Sequence, residues 1–140
     1  MPGQFEEQGY RDPVDVLSAT ECQHLLQVVR DVSFPPPLDW HKGHAVTSRA
    51  IYDVAVNPAI LDVVEQVLGR NVVLWGATIL QRPPGAIHPW HSDMESSAEG
   101  VQGVSVWVGL EHTSAESSLQ FISRSHRLGP MLQDARQERN

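Results

Sequence analysis

At Asn71 the spacing of apolar residues changes, and that change restricts the fold more than any other feature of the chain. Before it the apolar positions recur with a helical period; after it they run continuously or alternate, as strands require. Val72 to Leu80 is a nearly continuous apolar run, the pattern of a strand covered on both sides, and Pro83, Pro84 and Gly85 end it. Val104 to Leu110 alternates, with Val104, Val106, Val108 and Leu110 on one face and Ser105, Trp107 and Gly109 on the other. Leu119, Phe121 and Ser123, set against Gln120, Ile122 and Arg124, predict a further strand. Helices followed by strands separated by turn signals make an α+β chain whose later part belongs to a jelly-roll or cupin-like double sheet, with the N-terminal helices packed on it.

The first half reads as follows. Phe5 to Val16 is an extended lead-in, and Leu17 to Val32 then takes up the helical period. Ser18 and Glu21 make a capping box, with Leu25, Leu26, Val28 and Val29 as the apolar stripe behind it. Such a cap stabilises its helix by about 1 kcal/mol. Ser33 to Leu38 holds three consecutive prolines and is a stiff connector. Asp39 to Ser48 is polar, and its His41 and His44 read as solvated loop residues, because no carboxylate stands at a usable ligand spacing. Asn57 and Pro58 open a second helix that Gly69 closes, with Ile60, Leu61, Val63, Val64, Val67 and Leu68 as its buried face. Helices are therefore expected over Thr20 to Arg30 and Pro58 to Leu68, and a polar tail from about residue 130 to Asn140.

One domain, residues 1–140, is what this length accommodates. Seventeen acidic residues against ten basic ones give a net charge of −7, with no basic cluster to neutralise a phosphate backbone, so nucleic acid is not an expected partner. Cys22 is alone, which rules out an intrachain disulfide and a cysteine-rich zinc cage; its neighbours make it a buried helical thiol. Any metal must then be held by His, Asp or Glu. The stretch MPGQFEEQGY has neither a positively charged start nor an apolar run, and nowhere is there an uncharged stretch long enough to span a bilayer. A soluble, cytoplasmic protein is expected.

The chemistry concentrates in Gln81 to Asp93, QRPPGAIHPWHSD. Alternate residues of an extended segment point the same way, so His91 and Asp93 can aim at one metal while Ser92 turns aside. An imidazole nitrogen and a carboxylate are two arms of the facial triad that holds non-haem Fe(II) and leaves positions open. Taken bare, the tripeptide is more often a surface loop with incidental polar residues; its surroundings change that weighting. His88 is expected to stay outside the ligand set, since Pro89 fixes the chain between them and the i to i+2 relation is missing; on that reading His88→Ala leaves metal affinity nearly unchanged.

Taken in order, FEEQGY, DVLSATEC, ILQRPPG, HPWHSD, VSVWVGLEHTSAESSLQFI and SHR resemble the N-terminal half of the phytanoyl-CoA dioxygenase family, within the Fe(II)/2-oxoglutarate oxygenases. The resemblance runs from about Phe5 to Arg127. It implies that His91 and Asp93 are iron ligands and that Arg82, preceding Pro-Pro, reaches a carboxylate of 2-oxoglutarate, a task that suits a guanidinium; the bland alternative is an arginine snorkelling off a strand end. Trp107 falls on a tryptophan lining the cosubstrate cavity, or is a core aromatic, or both. His126 matches the histidine of the family's Gly-Ser-His turn, which is not a ligand there, so neither His126 nor His112 is taken as the third ligand. The implied cofactors are Fe(II) and 2-oxoglutarate, and the implied reaction is hydroxylation of a small molecule. In halogenating relatives a small residue replaces the carboxylate to admit chloride; Asp93 keeps it, so oxygen insertion is expected.

The departures from the family pattern bear on these expectations. Ser117 and Ser118 stand where a turn such as Asn-Gly is common, and Ser123 and Arg124 stand where Pro-Gly precedes Ser-His, so residues that turn easily are replaced. The family's distal histidine and the arginine for the far carboxylate of 2-oxoglutarate fall beyond Asn140. A partial double-stranded β-helix is therefore expected, with little turnover by the chain alone unless a second copy or a complementing chain completes the site and covers the open strands. The competing expectation is a non-catalytic chain, a truncated relic or a regulatory subunit that keeps the scaffold.

Overall fold

The computed structural model describes residues 3–31, 36, 39–93 and 102–128. The chain falls into two compact units. The first is formed by the described residues of Met1–Pro13, Gly85–Val106 and Leu119–Asn140, the second by those of Val14–Pro84 and Trp107–Ser118.

The second unit carries the larger helices. Helix α2, Ala19–Arg30, begins at Ser18, whose hydroxyl accepts from Glu21 N at 3.3 Å while the Glu21 carboxylate accepts from Ser18 N at 2.7 Å. The Ser18 hydroxyl also donates to the Glu21 carboxylate at 2.7 Å, and this bond, followed by that from the Ser18 backbone N–H, holds the Glu21 carboxyl below the usual carboxylate range. Leu25 is buried, with Leu26, Val28 and Val29 half-buried beside it, and Arg30 in the last turn pairs with Glu111. Cys22 is half-buried on the same helix rather than enclosed. Helix α5, Pro58–Leu68, starts at Asn57, whose side-chain oxygen accepts from Ala59 N at 2.9 Å, and stops at Gly69 with φ +82°. Its inward face is Ile60, buried, and the half-buried Leu61, Val63, Val64, Val67 and Leu68; Asp62 and Gln66 point out. Both helices form where their caps and periodicity place them.

Between them the structure adds what the sequence left as loop. Asp39 to Ser48 is not simply a solvated loop: it contains α3, His44–Thr47, and runs into α4, Arg49–Ala55, capped by Ser48, which is buried. His44 is half-buried, because its backbone N–H donates to Ala77 O at 3.2 Å and draws α3 against the 72–80 segment. Ala77 N in turn donates to Lys42 O at 2.8 Å, and the two bonds make the parallel bridge Gly43↔Ala77. At Gly76 there is no room for a Cβ: Lys42 O and the edge of the Trp40 ring would each lie 2.8 Å away, and Trp40 meets Trp75 edge-on with centroids 5.7 Å apart. The signals for α4 were present in Ser48 as a cap and in Arg49 and Asp53, which pair at i,i+4 with 2.7 Å between Nε and Oδ1.

Among the described residues no β-pairing extends beyond that bridge. Val72 to Leu80 keeps Val73 and Trp75 strongly exposed. In 104–110 the expected alternation is visible as exposure: Val104, Val108 and Leu110 are half-buried, and Ser105, Trp107 and Gly109 are exposed, with Val106 departing from its face at 50% exposure. The tail from residue 130, and most of the proline connector, lie outside the described residues.

In the first unit the extended lead-in expected over Phe5 to Val16 is interrupted at its start. Gln4–Gln8 forms a short helix, α1, because Glu6 reaches back to Gly3 N at 3.2 Å and Gly9, at φ +84°, supplies a left-handed stop with its N–H on Phe5 O at 2.8 Å. The far end of the chain docks on this helix. Arg124 N donates to Gln8 O at 2.8 Å, the Ser123 hydroxyl donates to the Gln8 side chain, and His126 Nε2 and the Arg127 guanidinium both donate to Glu6 O at 3.2 Å. Tyr10 stacks on Phe121 with centroids 5.1 Å apart. A Cβ on Gly9 would run into the His126 imidazole, so glycine is required there twice over.

The two departures from the expected turn chemistry are handled differently. At 114–118 hydroxyls make the turn: Ser117 Oγ accepts from Ser114 N at 2.9 Å, Ser114 Oγ accepts from Glu116 N at 3.3 Å, and Ser117 Oγ donates to His112 O. At 123–124 the backbone is strained instead, because Arg124 takes φ +66° where the resemblance puts glycine. An L-residue there costs about 1 kcal/mol. Arg124→Gly should accordingly raise thermal stability by up to roughly 0.5 kcal/mol, after allowing for the entropy glycine adds to the unfolded chain; a clearly lower melting temperature would show that the αL conformation is not strained.

Burial pushes the His44 imidazole below its ordinary pKa. The neutral ring is then preferred in the folded state, so its contribution is complete above the unfolded value of about 6.5 and declines as pH falls from there toward the depressed folded value. Melting curves at stepped pH should fall across that window, and His44→Gln should flatten that part of the profile.

Candidate metal centre

The chain enters the site through a turn. Gly85 has φ +79°, the left-handed value that a type II turn demands of its third residue, and Pro84 before it supplies the fixed φ of the second. From there to Asp93 the residues are exposed, except Ser92, which is half-buried between His91 and Asp93. At 91–93 this agrees with an extended segment in which Ser92 turns aside from its neighbours.

His91 and Asp93 do converge, with Nε2 and Oδ1 3.0 Å apart. The other ring nitrogen, Nδ1, stands 3.0 Å from Pro89 O. A carbonyl oxygen only accepts, so Nδ1 carries the proton and Nε2 is the nitrogen turned to the carboxylate. A cation could face both donors, the unprotonated Nε2 and the Asp93 carboxylate. Two donors in adjacent positions about 2.1 Å from one metal lie about 3 Å apart, which is the spacing seen here. The donor set, one imidazole and one carboxylate with no thiolate, suits Fe(II) and leaves the remaining positions open. The backbone hydrogen bond on Nδ1 is the outer-shell contact that metal-binding histidines ordinarily have.

His88 makes one contact that the sequence-based expectation leaves out. Its ring meets that of His91 edge-to-face, with centroids 4.5 Å apart and planes at 84°. The usable signal was the spacing His88-Pro89-Trp90-His91, in which the proline restricts both itself and the residue before it. All seven histidines lie within the described residues. Among those residues no group of three or more His, Cys, Asp or Glu is arranged to hold a metal. His126 is engaged with the α1 backbone, and His112, at φ +52°, lies 3.8 Å from the Glu111 carboxylate.

Arg82 and Trp107 belong to the second unit, His91 and Asp93 to the first. Arg82 is exposed and makes no ion pair among the described residues. Trp107 is 40% exposed. Among the described residues no helix is long and apolar enough to cross a membrane.

Neither the curated proteins nor the solved structures offer a match. A family model described as phytanoyl-CoA dioxygenase matches residues 5–140, taking in the proline turn, the His91–Asp93 pair and the Ser-His-Arg turn. On that match the chain belongs to the phytanoyl-CoA dioxygenase family.

Proposed function

We propose that the chain is an Fe(II)- and 2-oxoglutarate-dependent dioxygenase of the hydroxylase type, acting on a small molecule, with His91 and Asp93 as iron ligands. The observation that carries this reading is the 3.0 Å approach of His91 Nε2 to Asp93 Oδ1 while Nδ1 is occupied by Pro89 O. Family membership supports it, because the family is generally one of Fe(II)/2-oxoglutarate oxygenases. The third donor is left to a further histidine beyond the His91–Asp93 pair. On the same reading the strand-type segments belong to a partial double-stranded β-helix of jelly-roll type, and the protein is cytoplasmic.

Iron with 2-oxoglutarate supplies the oxidising power: one atom of O2 enters a substrate C–H bond as hydroxyl, the other enters succinate, and CO2 leaves. The protein's own residues bind and orient. His91 presents Nε2 with its proton kept on Nδ1 by Pro89 O, and Asp93 supplies the negative charge that balances the cation and excludes a halide from that position. Arg82 offers a guanidinium to one carboxylate of 2-oxoglutarate, and Trp107 gives an apolar wall beside it. The net charge of −7 fits a small-molecule partner better than nucleic acid.

The test is iron and 2-oxoglutarate binding, then turnover once the site is complete. His91→Ala and Asp93→Ala should each abolish Fe(II) binding. Arg82→Ala should leave the metal in place and weaken 2-oxoglutarate by about 10- to 100-fold, the loss expected for a charge-assisted hydrogen bond, with Arg82→Lys intermediate. Titration calorimetry on the metal-loaded chain reads both effects, and the product should carry hydroxyl rather than chlorine. Fe(II) affinity unchanged in both ligand variants would favour a non-catalytic scaffold.

A further inference from the structure

We propose that His88 is a positioning residue for His91: its ring, packed edge-to-face on the His91 imidazole, holds that ring in the orientation that turns Nε2 toward Asp93. This inference rests on the reading of His91 as a metal ligand. His91 sits on an exposed stretch, with its own side chain 33% exposed, Trp90 at 50% and Ile87 at 92%, so the surrounding packing does little to select one rotamer. An exposed imidazole free about two torsions samples several orientations, and a ligand needs one. Two contacts supply the restriction. The Nδ1 bond to Pro89 O, 3.0 Å long, acts in the plane of the ring. The His88 ring, perpendicular to His91 at 84° with centroids 4.5 Å apart, opposes rotation out of that plane.

The chain keeps His88 in place for the same reason that it keeps the carbonyl there. Pro89 has a fixed φ, and the residue before a proline is confined to extended conformations, so His88, the Pro89 carbonyl and His91 form a short, stiff unit. His88 acts through ring shape and not through a nitrogen on the metal. The sequence, which gives His88 no share in the ligand set, predicts no effect of His88→Ala; the ring contact changes that expectation.

The experiment compares wild type, His88→Ala, His88→Phe and His91→Ala, with Co(II) as the probe metal and its visible ligand-field bands as readout. Proton NMR of the His91 ring without metal gives a second readout. His88→Ala should weaken Co(II) binding by about three- to tenfold and move the metal-free His91 ring resonances toward random-coil positions. His88→Phe, which keeps an aromatic edge and has no ligating nitrogen, should restore affinity to within about twofold and keep the ring resonances displaced. His91→Ala should bind no Co(II). The inference is overturned, with the site reading intact, if His91→Ala abolishes binding while His88→Ala matches wild type in both readouts. It is overturned also if His88→Phe loses as much as His88→Ala, since a nitrogen rather than a ring would then be needed. Co(II) binding by His91→Ala at wild-type affinity would remove the site reading and this inference together.

Discussion

The Gly43–Ala77 bridge is the contact on which the second unit depends. Two backbone bonds, Ala77 N to Lys42 O and His44 N to Ala77 O, tie the polar 39–48 stretch to the apolar 72–80 segment. Once tied, α3 lies at the bridge, His44 loses solvent, and the Trp40 edge closes over Gly76 so tightly that no side chain fits there. Glycine at 76 is thus what the close approach of Lys42 and Trp40 demands, and there Trp40 also meets Trp75. Asn57, which caps α5, also donates from its side-chain nitrogen to Val16 O at 3.4 Å, so the cap that starts this helix anchors the segment leading into α2 as well.

What the residues disclosed and what they withheld divide along a physical line. Caps are local, and Ser18 with Glu21, Asn57 with Pro58, and Gly69 each specify a helix end without reference to the rest of the chain. The His91–Asp93 pairing was legible for the same reason, since alternation in an extended segment is a property of consecutive residues. Short helices are another matter. Helix α1 has five residues and α3 has four, too few to stand by propensity, and to the local cap of α1 are added backbone partners far away in sequence, the 123–127 turn for α1 and Ala77 for α3. A strand likewise needs a neighbour. The residues at 104–110 declare which face is which, and their exposure follows that pattern except at Val106, but nothing in the segment names the strand that it pairs with.

The site shows the same division at finer scale. Residue types and spacing pointed to the His91–Asp93 pair; which nitrogen faces Asp93 depended on the Pro89 carbonyl, and that the His88 ring lies edge-to-face on His91 was not legible at all. Arg124 shows it from the other side. The sequence revealed that a turn-forming glycine was missing there, and the structure revealed that the turn is kept with arginine in its place, with its backbone N–H on Gln8 O.

The docking of residues 123–127 on α1 sets the order in which the chain can finish folding. The bonds from Ser123, His126 and Arg127 back to Gln8 and Glu6 span 115, 120 and 121 residues. Closing a loop of that size costs roughly 4 kcal/mol of chain entropy by its length dependence alone, so these contacts form only when most of the intervening chain has already condensed. During synthesis α1 emerges before residues 123–127 and lacks these partners until residue 127 leaves the ribosome, a wait on the order of ten seconds at ordinary elongation rates. The second unit, whose helices are capped within their own sequence, can organise in that interval; the first cannot, and with it waits the segment that holds His91 and Asp93.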